Sequence, residues 1–420
     1  MSEPTVLSNR VTILESGAPK SLPPHAASRG LRLEGHPLNL CAYPAETLTN
    51  RNFGGFDLGR WDRYFLPPTL RALTDDPELE VAEAVEDDNR SAIFPDPVAT
   101  LDGMPFYLSV KGLGSSIDPF SLRRLDVAYA QELSTDPDTR ERLERAKGDR
   151  TGGIITGELW LRGSPYGGQG LPHALTALRV SERADLTSIG GFRIAPVVKV
   201  AFLPKPLDDR LCSIHWYRRF RDRLVQEIRL VPSNVRVYFH SRTTVGQDPG
   251  RVFDLFGLDS AARAHGFLQN FVRSGIAMMT LFARTLLLDS ARNRYSGLEF
   301  LDVWLDKDAV LAPDGTVFFV DLEGIEEVSV EREEVREKFE DQIFRSLYEF
   351  MYAYEQIDLE RSRRFGAQGS RKRRFEGMVR DALRDDPIAR ARSGPGGLTL
   401  EVRNRLGEES LRFDFPLVDL

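Results

Sequence analysis

Residues 301–324, LDVWLDKDAVLAPDGTVFFVDLEG, decide how this chain is read. Two short apolar, β-branched runs flank Pro313-Asp314-Gly315, a residue set that closes tight turns, so the spacing predicts a β-hairpin. Asp302, Asp306 and Asp308 precede its first strand, and Asp321 follows its second. A hairpin returns the chain to its starting point, which would bring Asp308 and Asp321 to the same open end. Carboxylates gathered there repel one another unless a cation stands between them. Hard oxygen ligands from two adjacent segments suit Mg²⁺ held against phosphate groups. A surface hairpin with solvated acids is the other reading of the same residues.

Upstream, Val81–Val85 and Val98–Leu101 are followed by an Asp102-Gly103 turn, and Met104–Val110 runs into Lys111. An Asp-Gly pair between alternating runs is a strong hairpin signal, so three strands are expected, with Lys111 ending the third. A lysine at a strand end is ordinarily a solvated group. The glycine-rich residues 163–170 form either a flexible loop or an anion cradle ahead of a helix. Leu171, Leu175, Leu178, Glu182 and Leu186 recur at helical spacing and predict a helix with Glu182 inside its apolar stripe. A carboxylate there needs a partner, or else it stands at the edge of the stripe with its head in water. Strands are expected over Arg193–Phe202, Glu227–Val231 and Val235–His240, then a short helix over Arg251–Phe256 and a buried one over Ala261–Ala291. Val335, Phe339, Ile343, Leu347, Phe350 and Tyr354 mark one face of a long amphipathic helix, and Leu398–Val402 with Leu411–Leu417 form a terminal hairpin.

The order of Lys111, Glu182, Asp308 and Asp321 resembles the protein-kinase-like superfamily. In that family the catalytic loop ends in a metal-binding Asn, and a hairpin leads thirteen residues later to the metal-binding Asp of a DFG-type motif. Asp308 and Asp321 are thirteen residues apart, with Asp321-Leu322-Glu323-Gly324 in the second position. The resemblance implies ATP and Mg²⁺ as cofactors. It makes Lys111 the lysine on the α- and β-phosphates, Glu182 its helical partner, and Asp308 and Asp321 the metal ligands. The sequence departs from the family in two places. The base position falls on Val303 with no His-Arg-Asp triplet, and the turn at residues 86–97, EDDNRSAIFPDP, replaces the glycine-rich loop with acids and prolines. Asp306 or Asp302 would then supply the carboxylate that orients the acceptor. Among the branches of the superfamily the chain looks most like selenoprotein O-like proteins, which lack the triplet, transfer AMP, and carry an Asn-x-Asp cluster where Asp306-Lys307-Asp308 stand here.

The fold class expected is α+β: a bilobal protein-kinase-like fold with an N-terminal extension and C-terminal helical and hairpin elements. Residues 1–74 would form the extension packed on the body, 75–242 a small lobe of sheet plus helix, 243–390 a mainly helical large lobe, and 391–420 a hairpin tail. The composition is that of a folded globular chain, 420 residues with 41% hydrophobic and 28% charged. No apolar window is long enough for a membrane helix, and the N-terminal sequence lacks a basic region followed by an apolar one, so a cytoplasmic protein is expected. Cys41 and Cys212 are too few and too distant for a disulfide framework or a cysteine zinc site. A net charge of −7 argues against broad affinity for nucleic acid, while the basic run at 361–374 is either a face for an acidic partner or RNA, or a solvated helix face. Three functions follow: an ATP-dependent transferase moving phosphate or AMP to an unknown protein or small-molecule acceptor, a catalytically inactive kinase-like module that binds a partner, or an unrelated α+β protein.

Overall fold

The computed structural model describes residues 11–13, 37–53, 63–66, 80–86, 91–101, 103–112, 169–183, 193–205, 224–236, 249–289, 291–300, 308–366, 369–386, 388–394, 397–403 and 410–414. The acids Asp302 and Asp306, Val303, the glycine-rich residues 163–168 and Cys212 lie outside them.

The fold is mixed α+β with several antiparallel sheets. Its largest sheet has ten strands among the described residues: β1 (Val11–Ile13), β2 (Pro37–Pro44), β3 (Thr47–Thr49), β4 (Arg63–Leu66), β5 (Glu80–Glu86), β6 (Ser91–Leu101), β7 (Met104–Lys111), β8 (Gln169–Gly170), β9 (Val197–Phe202) and β10 (Leu224–Val231). The main path runs β3-β9-β10-β7-β6-β5-β2-β4, with β1 on β6 and β8 on β10. The β6–β7 turn falls where the sequence puts it, with Gly103 at φ +79, a conformation that costs glycine no steric strain. β4 lies at the opposite end of this path from β9, yet the Phe65 N–H donates to Gln226 Oε1 on β10 at 2.8 Å and Gln226 Nε2 donates back to the Phe65 carbonyl. The sheet therefore curls, and β4 covers its middle strands with Tyr64 and Phe65 fully buried.

Helix α1 (Leu171–Ser181) packs against β9 and β10 through Ala174, Ala177 and Leu178. It ends five residues short of the predicted Leu186, with Glu182 as its C-cap. The helical layer holds α2 (Pro249–Leu255), α3 (Ala261–Met279), α4 (Leu281–Thr285), α5 (Val335–Phe365) and α6 (Arg371–Ala382). The single helix expected over 261–291 is broken at Thr280. Its Oγ1 donates to the Ile276 carbonyl at 2.7 Å and accepts from Arg284 Nε at 2.6 Å, a back-bond that bends helices. Beyond it the chain turns into β11 (Leu287–Asp289), which forms a three-stranded sheet with β12 (Arg294–Phe300) and β15 (Ile325–Val330) that the sequence pattern did not announce. α3 and α5 cross closely at Gly275, where an added Cβ would meet the Phe350 ring at 2.1 Å. A last antiparallel sheet, β16 (Ala389–Gly394), β17 (Gly397–Arg403) and β18 (Ser410–Asp414), is held to α4 by a buried Arg284–Asp386 ion pair at 2.7 Å.

Part of the basic run at 361–374 is paired inside the molecule. Asp358, fully buried, accepts from Arg361 Nε at 3.0 Å and from Arg374 Nε at 3.2 Å, with Arg371 Nε 3.5 Å away. Arg371 also bonds Glu355, and Arg363 and Arg364 both bond Glu360. Arg363 and Arg373 still face solvent, so the run is divided between internal pairing and an exposed side. No helix among the described residues is long and apolar enough to cross a membrane.

Candidate functional site

The hairpin that opened the sequence reading is β13 (Ala309–Leu311) and β14 (Val317–Phe319). Asp314 accepts from the Thr316 N–H at 2.9 Å, and Gly315, at φ +92, lies so close to α3 that a Cβ would stand 2.0 Å from the Phe267 carbonyl oxygen. Asn270 Nδ2 donates to the Asp314 carbonyl at 3.0 Å, and Ser274 Oγ accepts from the Val317 N–H at 3.1 Å. Opposite contacts join the hairpin to the sheet: the Ala195 N–H donates to the Phe319 carbonyl at 2.8 Å, and the Leu311 N–H to the Val235 carbonyl at 2.7 Å. The hairpin is thus fixed between the helical layer and the chain entering β9 and leaving β10.

At its open end the Val320 N–H donates to the Asp308 carbonyl at 2.8 Å, so Asp308 precedes the first strand opposite the residue before Asp321. Asp308 is buried, and Asp321 is partly exposed. Lys111, the last residue of β7, is buried rather than solvated, and its Nζ lies 2.7 Å from Asp321 Oδ1.

In the sheet Lys111 pairs with Ser91 on β6 and Glu227 on β10, while Ser109 pairs with Arg229. Register partners project to the same side of a sheet, and alternate residues share it. Ser91, Ser109, Lys111, Glu227 and Arg229 therefore form one polar patch. Burying these groups costs free energy unless they are bonded. Glu227, fully buried, accepts from Gln169 Nε2 at 3.0 Å and lies 3.7 Å from Arg229 Nη1. Arg229, also buried, donates through Nη1 to the Val320 carbonyl and through Nη2 to Ser91 Oγ at 3.4 Å. Tyr107, on the same side of β7, has its phenol pushed up to about 12, first by burial and then by the charge of Asp96.

Glu182 is not where the helical stripe would put it. Because α1 stops at Ser181, the side chain leaves the stripe, and its Oε1 accepts from the Arg51 N–H at 3.0 Å with Oε2 4.0 Å from Arg51 Nε. It engages the N-terminal segment, while Lys111 engages Asp321. Asp302 and Asp306, the expected acceptor-orienting acids, fall outside the described residues.

Sequence reasoning passed over Glu227 and Arg229. The signal was available in LVQEIRLV: two charges set alternately in a strand whose apolar flanks mark both faces as covered. Among the described residues no group of three or more His, Cys, Asp or Glu side chains gathers as a metal site. Two hairpin-end carboxylates remain, Asp308 and Asp321, and one or two carboxylates completed by phosphate oxygens is the ligand set Mg²⁺ ordinarily takes from a protein. The donor set fits the ion. No family model, curated protein or solved structure matches the chain.

Proposed function

We propose that the chain is an ATP-dependent transferase of the protein-kinase-like superfamily, with its nucleotide held between Lys111 at the end of β7 and the open end of the β13–β14 hairpin. The observation that carries this reading is the 2.7 Å contact of Lys111 with Asp321, which joins the end of a sheet strand to the end of a hairpin 210 residues later. The order of elements supports it. Three strands (β5, β6, β7), then helix α1, then two strands (β9, β10) precede the helical layer, which is the small-lobe order of such folds.

In this reading Lys111 neutralises nucleotide phosphates, and Asp308 with Asp321 holds Mg²⁺. The ion supplies charge neutralisation on the phosphates, so that positioning and electrostatics lower the barrier. Lys111 and Asp321 already neutralise each other without ligand, so the pair is set for a phosphate to take the lysine and a cation to take the aspartate. Asp306 or Asp302 orients the acceptor, and either phosphate or AMP is transferred. A second reading is a kinase-like module without catalysis. Val303 at the base position favours it, together with Asp87 and Asp88 in the link between β5 and β6; the prolines expected in that turn, Pro95 and Pro97, belong to strand β6.

The test is thermal unfolding with ATP, with and without Mg²⁺, for the wild type, Lys111→Ala and Asp321→Asn. A ligand that binds only the native state raises its melting temperature. The expected result is stabilisation of the wild type by ATP with Mg²⁺, a loss of all ATP response in Lys111→Ala, and a loss of the Mg²⁺-dependent part in Asp321→Asn. A wild type that gains nothing from millimolar ATP and Mg²⁺ sinks the reading. Label followed from α- or γ-labelled ATP then separates AMP transfer, phosphate transfer and no transfer, the last being the result for the module without catalysis.

A further inference from the structure

We propose that Arg229 is a positioning residue for Asp321, acting through the main chain of Val320 to hold the aspartate where it and Asp308 share one divalent cation; this rests on the nucleotide and Mg²⁺ reading above. Val320 is held at both of its backbone groups. Its N–H is bound by the Asp308 carbonyl, and its carbonyl is bound by Arg229 Nη1. The second bond fixes the peptide plane from which Asp321 departs. Asp321 itself adopts φ −101 and ψ 77, outside the regular helix and strand regions, and no element continues through it to hold that conformation. The next residues form only a short 3₁₀ turn, Leu322–Gly324.

Arginine suits this task better than another residue of its size. Its planar fork sends N–H groups in two directions, and here they reach the Val320 carbonyl on the hairpin and Ser91 on β6. Glu227 beside it balances the charge and is itself held by Gln169, one residue before the glycine that caps α1. The chain of contacts Gln169–Glu227–Arg229–Val320 therefore ties the start of α1 to the residue that precedes Asp321. A buried ion pair is seldom the most stable filling of a core, and apolar residues of similar volume often do as well. Its persistence on the strand that faces the hairpin is accounted for by what the guanidinium holds.

Removing a group that orients a metal ligand from behind typically weakens metal binding about 10- to 100-fold. The experiment titrates Mg²⁺ at fixed ATP and follows the melting temperature for the wild type, Arg229→Lys and Arg229→Met. Binding of Mn²⁺ is followed in parallel by the electron spin resonance of the free ion. The expected result is a half-saturating metal concentration raised about tenfold or more in both variants, with stabilisation by ATP in chelator unchanged because Lys111 is untouched. Arg229→Lys keeps the charge and loses the fork, so its failure to rescue places the effect in geometry. A folded variant with wild-type metal dependence overturns the proposal. So does an equal loss of ATP response with and without metal, which marks a role confined to packing. If Arg229→Met does not fold, Arg229→Lys and Glu227→Gln give the same readout. If the wild type itself shows no metal-dependent response to ATP, the functional reading fails and this inference fails with it, whereas a responsive wild type with indifferent variants removes only the inference.

Discussion

Gly315 shows how a single residue fixes the placement of two others. It sits in the hairpin turn at positive φ with the Phe267 carbonyl against it, so a side chain would be strained by its backbone and blocked by α3 at once. Gly315→Ala is expected to lower stability by about 2 kcal/mol or more, read from chemical denaturation, and to weaken any metal binding at the other end of the hairpin. Wild-type stability in that variant would show that the turn yields freely. At this scale much of the site was legible. Asp308 and Asp321 could be placed because turn residues at fixed spacing set the hairpin, and Lys111 because an Asp-Gly turn sets the strand it ends. Glu182 was misplaced because periodicity does not say where a helix stops, and here the stripe runs on past the last helical residue. Arg229 and Glu227 were missed because their role is set by a backbone carbonyl of a distant segment, which no local pattern records.

Among the elements, α5 and α6 depend on one carboxylate. Asp358 is buried under three arginines, and taking away one member of such a cluster leaves uncompensated charge in the interior. Asp358→Asn is expected to cost about 3 kcal/mol, measured by urea denaturation, and a change within experimental error would show that the arginines find water instead. Glu360, two residues further along α5, is held below the usual carboxylate range, chiefly by its bond to Arg363 and also by Arg364. The sign follows: a carboxylate whose folded pKa is depressed contributes stability that is full above its unfolded value, roughly 4.3, and is lost as pH falls through the folded value. The stability difference between the wild type and Glu360→Gln should therefore be present at neutral pH and shrink below about pH 4. A difference that stays constant down to acid unfolding would remove the charge from the explanation. The strands around the turns and the long amphipathic helix were legible because each has its own period. The β11–β12–β15 sheet was not, since Leu286–Leu288 reads as the tail of a helix until Thr280 breaks it, and β12 finds its second partner, β15, only beyond the β13–β14 hairpin.

Across the whole molecule, the N-terminal segment closes the large sheet. Phe65 gives and takes a hydrogen bond with Gln226 and lies 5.2 Å from the Phe94 ring, so it seals the side of the sheet away from Lys111. Phe65→Ala should cost about 3–5 kcal/mol, and a chain begun at residue 67 should lose cooperative thermal unfolding; a truncated chain that melts like the full one would show β4 to be dispensable. The curl of the sheet also could not be read from sequence, because the strand that covers β10 pairs only at the far end of the strand order. The 210-residue separation of Lys111 and Asp321 has a kinetic consequence. Loop closure over so long a span is entropically unfavourable until the contacts at either end are already made, so neither the sheet nor the hairpin can assemble this pair early. During refolding from denaturant, the capacity to bind ATP should therefore return after most of the secondary structure has formed, as a separate slow phase in a stopped-flow experiment with a fluorescent nucleotide. A chain interrupted on the ribosome before the hairpin is made would hold its finished sheet with a buried lysine still waiting for its counter-charge.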